Sequence, residues 1–383
     1  MRPNPVIVIP AYRPDERLPS LTDALKKAGL ANILVVDDGS GTDYDPVFRM
    51  LSDHGIRVIR HPGNRGKGAA LRTGIAAAAG TAQTTPSKET LPLCVVTADA
   101  DGQHAPEDIV RVAVALAEHP DTLVLGTRDF SGKNVPWKSR AGNRISSVFF
   151  RLATGRTCPD TQTGLRGIPG KLLPLALAED GDRYEYEMNF LTDAAAGTEI
   201  LQVPIRTIYE NNNEGSHFHP VRDAVRVYSR PLRFAAASAA GCAADLLLFV
   251  LFRYLLSVAG AFSGSAASTA AAVIFARLFS GGLNFLLNRK WSFRSRGKCG
   301  LEAARYAVLF TAVMLLSAAG TTLLSLFLPA AAAKVLIDSS LFVLSYRAQK
   351  QWVFKKEGLH YDQKDQSSSV RGISRRLHDI YIA

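Results

Sequence analysis

Cysteine is scarce, with four residues in 383, Cys94, Cys158, Cys242 and Cys299, and no C-x-x-C pair. That scatter excludes a disulfide scaffold and a cysteine-built zinc site, and it predicts reduced thiols. No G-x-x-x-x-G-K-[ST] run is present, so a Walker A loop is excluded. The N-terminus enters Val6-Ile7-Val8-Ile9 without the basic, apolar and small-residue order of a cleavable signal peptide, so none is expected. No RNA- or DNA-binding module pattern accompanies the net charge of +11, and nucleic acid is not an expected partner. Charge itself is sparse in one half. Up to about Pro231 charged and apolar segments alternate, whereas from Leu232 to about Arg347 Ala, Leu, Phe and Val dominate. That shift is read as a domain boundary.

In the first half, Val6–Ile9 and Ile33–Val36 are short β-branched runs of the kind buried as parallel strands. Leu18, Leu21, Leu25 and Leu30 recur between them at near-helical spacing. A strand over Arg57–Arg60, a helix over Gly68–Ala79, a strand over Leu93–Val96, a helix over Pro106–Glu118 and a strand over Leu123–Leu125 follow. Such alternation predicts an open α/β sheet, whose ligands sit at the carboxyl ends of the strands.

The residues just past those strands are Pro10-Ala11-Tyr12, Asp37-Asp38-Gly39-Ser40 and Asp99-Ala100-Asp101-Gly102-Gln103-His104. Alternating carboxylates at Asp99 and Asp101 can face one oxygen-rich site suited to a hard divalent cation and substrate phosphates. By itself the same pair also fits a solvated turn with two acids. Asn64-Arg65-Gly66-Lys67-Gly68 places a basic, glycine-rich loop before a helix N-terminus, where backbone N–H groups and an ammonium can hold phosphate; an ordinary turn reads the same way.

Taken in order, Ile9-Pro10-Ala11-Tyr12, Val36-Asp37-Asp38-Gly39-Ser40, Gly66-Lys67-Gly68, Asp99–His104, Gly126-Thr127-Arg128 and Asp160–Arg166 resemble the family 2 glycosyltransferases of GT-A fold. Within these the dolichyl- and polyprenyl-phosphate sugar synthases are the most similar, over about Pro5–Pro220. The resemblance implies a Rossmann-like open sheet. It implies Pro10, Tyr12 and Asp38 around base and ribose with Asp37 in support, and Lys67, Asp99 and Ala100 at the nucleotide-sugar. It also implies Asp101 and Gln103 on Mg2+ or Mn2+, with Arg128, Arg140 and Arg144 on the acceptor phosphate. Asp99, Asp101, Arg128 and Arg140 would then carry catalysis. Two stretches depart from the family: Arg13-Pro14-Asp15 where Asn-Glu is common, and Asn211–His217 where arginine and lysine are usual. His217 would there replace a lysine on donor phosphate, and the choice of nucleotide-sugar is left open.

The second half holds four apolar segments, about 234–256, 267–287, 306–328 and 330–346, near the roughly 20 residues that cross a bilayer. Arg222, Arg226, Arg230 and Arg233 precede the first, Arg289, Lys290, Arg294, Arg296 and Lys298 follow the second, and Lys350, Lys355 and Lys356 follow the fourth. The uncharged loop 257–268 is the opposite side, so both termini and the catalytic domain are expected in the cytoplasm. The half repeats internally: Arg233-Phe234 matches Arg305-Tyr306, and Lys290-Trp291-Ser292-Phe293 echoes Gln351-Trp352-Val353-Phe354. This pattern is similar to the GtrA-like membrane family, which the resemblance links to lipid-linked sugars. Asp245 and Arg277 reach similar depths and are expected to pair, as are Lys334 and Asp338, one turn apart.

The expected organisation is a catalytic domain over 1–220, a juxtamembrane amphipathic linker over 221–231, an all-α transmembrane domain of four helices over 232–356 and a flexible cytoplasmic tail over 357–383. The expected reaction is inverting, metal-dependent transfer of glucose or mannose, from UDP-glucose or GDP-mannose, to polyprenyl phosphate at a bacterial cytoplasmic membrane. Self-association of the chain stays open. Two alternatives are a lipid-linked-sugar transporter with a nucleotide-sugar-binding soluble half, and a processive polysaccharide synthase. The latter usually carries Q-x-x-R-W, which Gln349-Lys350-Gln351-Trp352 does not match.

Overall fold

Short runs of β-branched residues are stable as strands when both faces of the sheet are covered, and the first half is built on that arrangement. The computed structural model describes residues 5–84, 93–132, 135–206, 227–259, 266–295 and 297–354. The chain divides into two compact units that meet in sequence at Val227 and Tyr228. His217, most of the linker and the tail lie outside the described residues.

The first unit carries seven strands: β1 (Val6–Ala11), β2 (Ile33–Asp37), β3 (Arg57–Arg60), β4 (Val95–Thr97), β5 (Leu123–Arg128), β6 (Arg166–Ile168) and β7 (Ile200–Ile205). They run in the order β3-β2-β1-β4-β6-β5-β7. All neighbours are parallel except β6, which is antiparallel to β4 and β5. The pleat sends alternate residues of β1 to opposite faces. Ile7 and Ile9 join the core under α1 (Arg17–Lys27), α2 (Asp45–Asp53) and α4 (Pro106–Glu118). Val8 joins the core under α3 (Lys67–Thr84), α5 (Trp137–Thr154), α6 (Leu173–Ala178) and α7 (Glu185–Ala194).

The strand–helix alternation expected up to Leu125 is present with small shifts in boundaries. The reversed strand β6 is the addition. Three residues, Arg166-Gly167-Ile168, are too few to show a period, and one of them is charged. Buried Arg166 is satisfied locally: its guanidinium donates to the carbonyls of Thr163 at 2.9 Å and Glu187 at 2.7 Å.

The second unit has four helices, α8 (Ser229–Val258), α9 (Ala266–Leu287), α10 (Cys299–Leu324) and α11 (Ala330–Ala348). Among the described residues three helical stretches are long and apolar enough to cross a membrane, Ser229–Val258, Ala271–Ser292 and Cys299–Leu324. α11 has 19 residues and carries Lys334, Asp338 and Arg347. The repeat is structural as well as sequential, because α9 and α11 each run into a single π-helical stretch, Asn288–Ser292 and Gln349–Val353. The two hairpins interlock by exchanging aromatic contacts. Phe234 of the first packs on Tyr346 of the second at 5.2 Å, and Tyr306 of the second packs on Phe285 of the first at 5.3 Å. Between them Phe293 stacks on its repeat counterpart Phe354 at 5.1 Å.

Arg277 lies 3.5 Å from Asp245, whose other oxygen accepts from Ser280 at 2.8 Å. Lys334 meets Asp338 at 2.8 Å, with Ser317 bonded to both. The repeat that matches Arg233 to Arg305 also matches Asp245 to Ser317, and the one that matches Trp291 to Trp352 matches Arg277 to Asp338. Each hairpin therefore bridges its two helices by a polar contact at the same place. Inside a bilayer such groups need partners, and each finds one within its own hairpin.

Candidate functional site

The end of β4 organises the site. Past Thr97 the chain turns through Ala98–Gln103, and Thr97 Oγ1 donates to the carbonyl of Gly164 at 2.8 Å, tying this turn to the segment before β6. Gly164 lies so close to Asp99 that a Cβ there would overlap the carboxylate. Gly164→Ala is therefore expected to displace Asp99 and to lower turnover roughly 100-fold, since an ångström of misplacement at a reacting centre costs about that much. A steady-state assay beside a thermal melt checks it.

Lys67, the first residue of α3, places its ammonium 2.6 Å from Asp99 and 2.9 Å from Glu187 at the start of α7. His104 Nε2 stands 3.4 Å from the second Asp99 oxygen. Burial alone would lower the Lys67 pKa, but the two carboxylates outweigh it and raise it, so the side chain stays an ammonium. Burial pushes Asp99 the other way, yet Lys67 and His104 hold its carboxyl well below the usual range. Asp101 is raised, first by burial and then by the charge of Asp99. Its Oδ1 accepts the Gln103 backbone N–H at 3.0 Å, and among the described residues no ion pair meets it.

The ends of β1 and β2 form the adjoining wall. Asp37 accepts the Ser40 N–H at 2.9 Å. Asp38 is buried and committed to the loop before α3: it accepts the backbone N–H groups of Arg65 at 2.9 Å and Gly66 at 2.7 Å, and faces His61 Nδ1 at 2.8 Å. His61 Nε2 in turn meets Thr73 Oγ1 at 2.9 Å. Gly66 has φ +104° against the Asp182 carbonyl, a conformation and a clearance that only glycine tolerates. Asp38 thus shapes the loop that presents Lys67. Pro10 sits within β1 opposite Val36, and the Arg13 guanidinium lies 5.2 Å over the Tyr12 ring.

At β5, Arg128 binds Asp160 through two side-chain bonds of 2.8 and 3.0 Å, and Asp160 is fully buried. Arg140 on α5 donates to the carbonyls of Phe130 at 3.1 Å and Gly132 at 2.8 Å. Arg144, one turn on, is exposed. The same helix exposes Trp137, Ile145, Val148 and Leu152, an apolar stripe beside its arginines.

The structure brings Asp99, Ala100, Asp101, Gln103 and Lys67 to one strand end, with Pro10, Tyr12, Asp37 and Asp38 at the adjoining strand ends. Arg128 ends β5 and Arg140 lies on α5. Glu187, Gly164 and Asp160 enter the site without having been singled out as site residues. For Glu187 the sequence carries no distinguishing mark, because Glu185 and Asn189 flank it on the same helix.

Residues 6–169 match Glycosyl transferase family 2, and residues 233–354 match the GtrA/DPMS transmembrane domain. An uncharacterised protein of Methanocaldococcus jannaschii is 33% identical over 208 residues, 53% of this chain and 81% of its own. The UDP-N-acetylglucosamine–dolichyl-phosphate N-acetylglucosaminyltransferase of Methanococcus voltae is 30% identical over 223 residues, 53% and 85% of the two chains. The undecaprenyl-phosphate mannosyltransferase of Micrococcus luteus is 29% identical over 208 residues, 52% and 81%.

Proposed function

This chain belongs to glycosyl transferase family 2, joined to a GtrA/DPMS transmembrane domain, and on that premise we propose that it transfers a hexose from a nucleotide-sugar to polyprenyl phosphate. It is a glycosyltransferase and an integral membrane protein. The observation that carries the proposal is the charged cluster at the end of β4, in a chain that also carries helices long and apolar enough to cross the membrane in which a lipid acceptor resides. The exposed apolar stripe of α5 beside Arg140 and Arg144 supports the same acceptor, because such a face suits a membrane surface and such arginines suit phosphate. Two of these relatives are named for transfer to dolichyl phosphate and undecaprenyl phosphate. The basic residues Arg230, Arg233, Arg289, Lys290, Arg294 and Lys298 favour a cytoplasmic catalytic unit.

The donor set fits a divalent cation of the hard class. Among the described residues no group of three or more His, Cys, Asp or Glu side chains is arranged to cage a metal. One carboxylate and one amide, Asp101 and Gln103, are what Mg2+ or Mn2+ uses when substrate phosphates complete its shell. Among the described residues no cationic side chain pairs with Asp101, and the Gln103 N–H orients its carboxylate. Asp101 and Gln103 would hold the ion, and when bound it supplies positive charge to the diphosphate.

The remaining work falls to the chain. Lys67 neutralises donor phosphate, while Arg128, Arg140 and Arg144 orient the acceptor. A phosphate monoester is already anionic near neutral pH, so its oxygen attacks the anomeric carbon without a general base. The bond to the nucleoside diphosphate breaks as the new one forms, which inverts the configuration. The anomeric configuration of the lipid product, read by NMR, tests this, and retention would overturn it. The transfer itself is tested in membranes with labelled UDP-glucose, GDP-mannose and UDP-N-acetylglucosamine. One donor is expected to label the lipid, and EDTA is expected to reduce that label to background until Mg2+ or Mn2+ is restored. Lipid without label from any donor would remove the reading.

A further inference from the structure

Glu187 is a charged residue of this cluster to which the proposed reaction gives no task. One of its oxygens, Oε2, lies 2.9 Å from the Lys67 ammonium. The other, Oε1, is buried and among the described residues has no hydrogen-bond partner. The residue as a whole is 8% exposed. A buried carboxylate oxygen without a donor is costly, and native structures keep such atoms where a ligand or an ion completes them. The lysine does not fill the gap: its contact with Glu187 is to Oε2, and the same ammonium is shared with Asp99 at 2.6 Å. Nor does the rest of α7 supply a donor: its neighbouring buried side chains Tyr186, Met188 and Phe190 are packed in the core, and the Tyr186 hydroxyl donates to the Ala176 carbonyl at 2.8 Å.

Position narrows what the missing donor is. In the proposed reaction Lys67 meets donor phosphate, and Asp101 and Gln103 serve the diphosphate. Glu187 reaches the same ammonium from a different element, α7, and brings to it an acceptor oxygen that phosphate cannot use. The transferred hexose is rich in O–H donors. A carboxylate is an acceptor at both oxygens, so with Oε2 on the ammonium its second oxygen selects for a hydroxyl in one place.

Resting on the transfer reading above, we propose that Glu187 recognises the donor sugar, its Oε1 accepting a hydrogen bond from one sugar hydroxyl while Oε2 keeps Lys67 in place. Glu187 is then a specificity-determining residue. Its contribution differs in kind from that of Lys67, which meets the phosphates common to every nucleotide-sugar.

The test is a cycle between protein and substrate, run with whichever of UDP-glucose, GDP-mannose or UDP-N-acetylglucosamine labels the lipid. Analogues of that donor lacking one hydroxyl at a time are compared in the wild-type chain and in Glu187→Ala. One analogue is expected to lose roughly 10–100-fold in kcat/KM with the wild type, the worth of a hydrogen bond to a charged group. With Glu187→Ala the same analogue should lose less than about 3-fold relative to the intact donor, since the partner is gone. Binding of the free nucleoside diphosphate, UDP or GDP, separates the roles further and confirms a folded site. It lacks the transferred hexose, so in Glu187→Ala its affinity should fall by less than that of the intact donor, any loss reporting the released Lys67. If every deoxy analogue loses the same factor in both proteins, or if the free diphosphate weakens as much as the intact donor, Glu187 merely positions Lys67 and the proposal is overturned. Failure of all three donors to label lipid would remove the transfer reading and this inference together, whereas labelled lipid without coupling removes the inference alone.

Discussion

Asp101→Ala is expected to reduce sugar transfer at least roughly 1000-fold while leaving the catalytic unit folded and its affinity for UDP or GDP in EDTA within a few fold. The size follows from charge. Removing one preorganised group that balances developing charge on a leaving group costs about 10²–10³ in turnover, and here the loss would extend to a divalent ion held by few protein ligands. The fold should not suffer. Burial and the Asp99 charge raise the Asp101 pKa, so the folded chain binds that proton more tightly than the unfolded chain does. Ionising Asp101 as pH rises above the ordinary carboxylate range therefore costs stability. Alanine removes that cost, and the melting temperature at neutral pH should hold or rise. The paired measurement also separates a catalyst from a transporter whose soluble half binds nucleotide-sugar, since only the catalyst loses chemistry while keeping nucleotide. A variant that retains more than a tenth of wild-type transfer would exclude Asp101 from the metal site.

Arg128→Ala is expected to fail for a different reason. Asp160 is fully buried, and Arg128 binds it through Nε and Nη2. Removing one partner of a buried pair leaves an uncompensated charge and costs about 3–5 kcal/mol, so the variant should melt markedly lower as well as lose activity. Arg140 offers the contrast. Its side chain bonds two exposed carbonyls, of Phe130 and Gly132, and Arg140→Ala should change stability by less than about 1 kcal/mol. Its transfer defect, expected as a roughly 10-fold rise in KM for polyprenyl phosphate, then reports on acceptor binding without a folding contribution. Thermal melts of the two variants beside kinetics with varied lipid would show it. Equal stability of both proteins would mean that the Arg128–Asp160 pair contributes little to the fold.

Much of the site could be read from residues in order, and the reason is topological. In a parallel sheet the carboxyl ends of the strands share one edge, so Pro10-Ala11-Tyr12, Asp37-Asp38 and Asp99-x-Asp101 had to converge once their strands were recognised. The membrane half was readable for a similar reason, because hydropathy sets helix length and a repeat sets its pairing. The roles within the site were less so. Asp38 reads as a ligand residue by motif, yet its carboxylate is occupied by the backbone of Arg65 and Gly66 and by His61.

The sequence by itself determined the strand–helix alternation, the polar residues at the strand ends, the break near Pro231 and the internal repeat, because each is a local pattern of period, composition or spacing. Tertiary structure alone decided the contacts that join distant stretches. It set β6 antiparallel between β4 and β5, brought Glu187 of α7 onto Lys67 of α3, seated Gly164 against Asp99 and crossed Phe234 with Tyr346 and Phe285 with Tyr306. Such contacts depend on how faces pack in three dimensions, and a side chain carries no local mark of the partner it will meet.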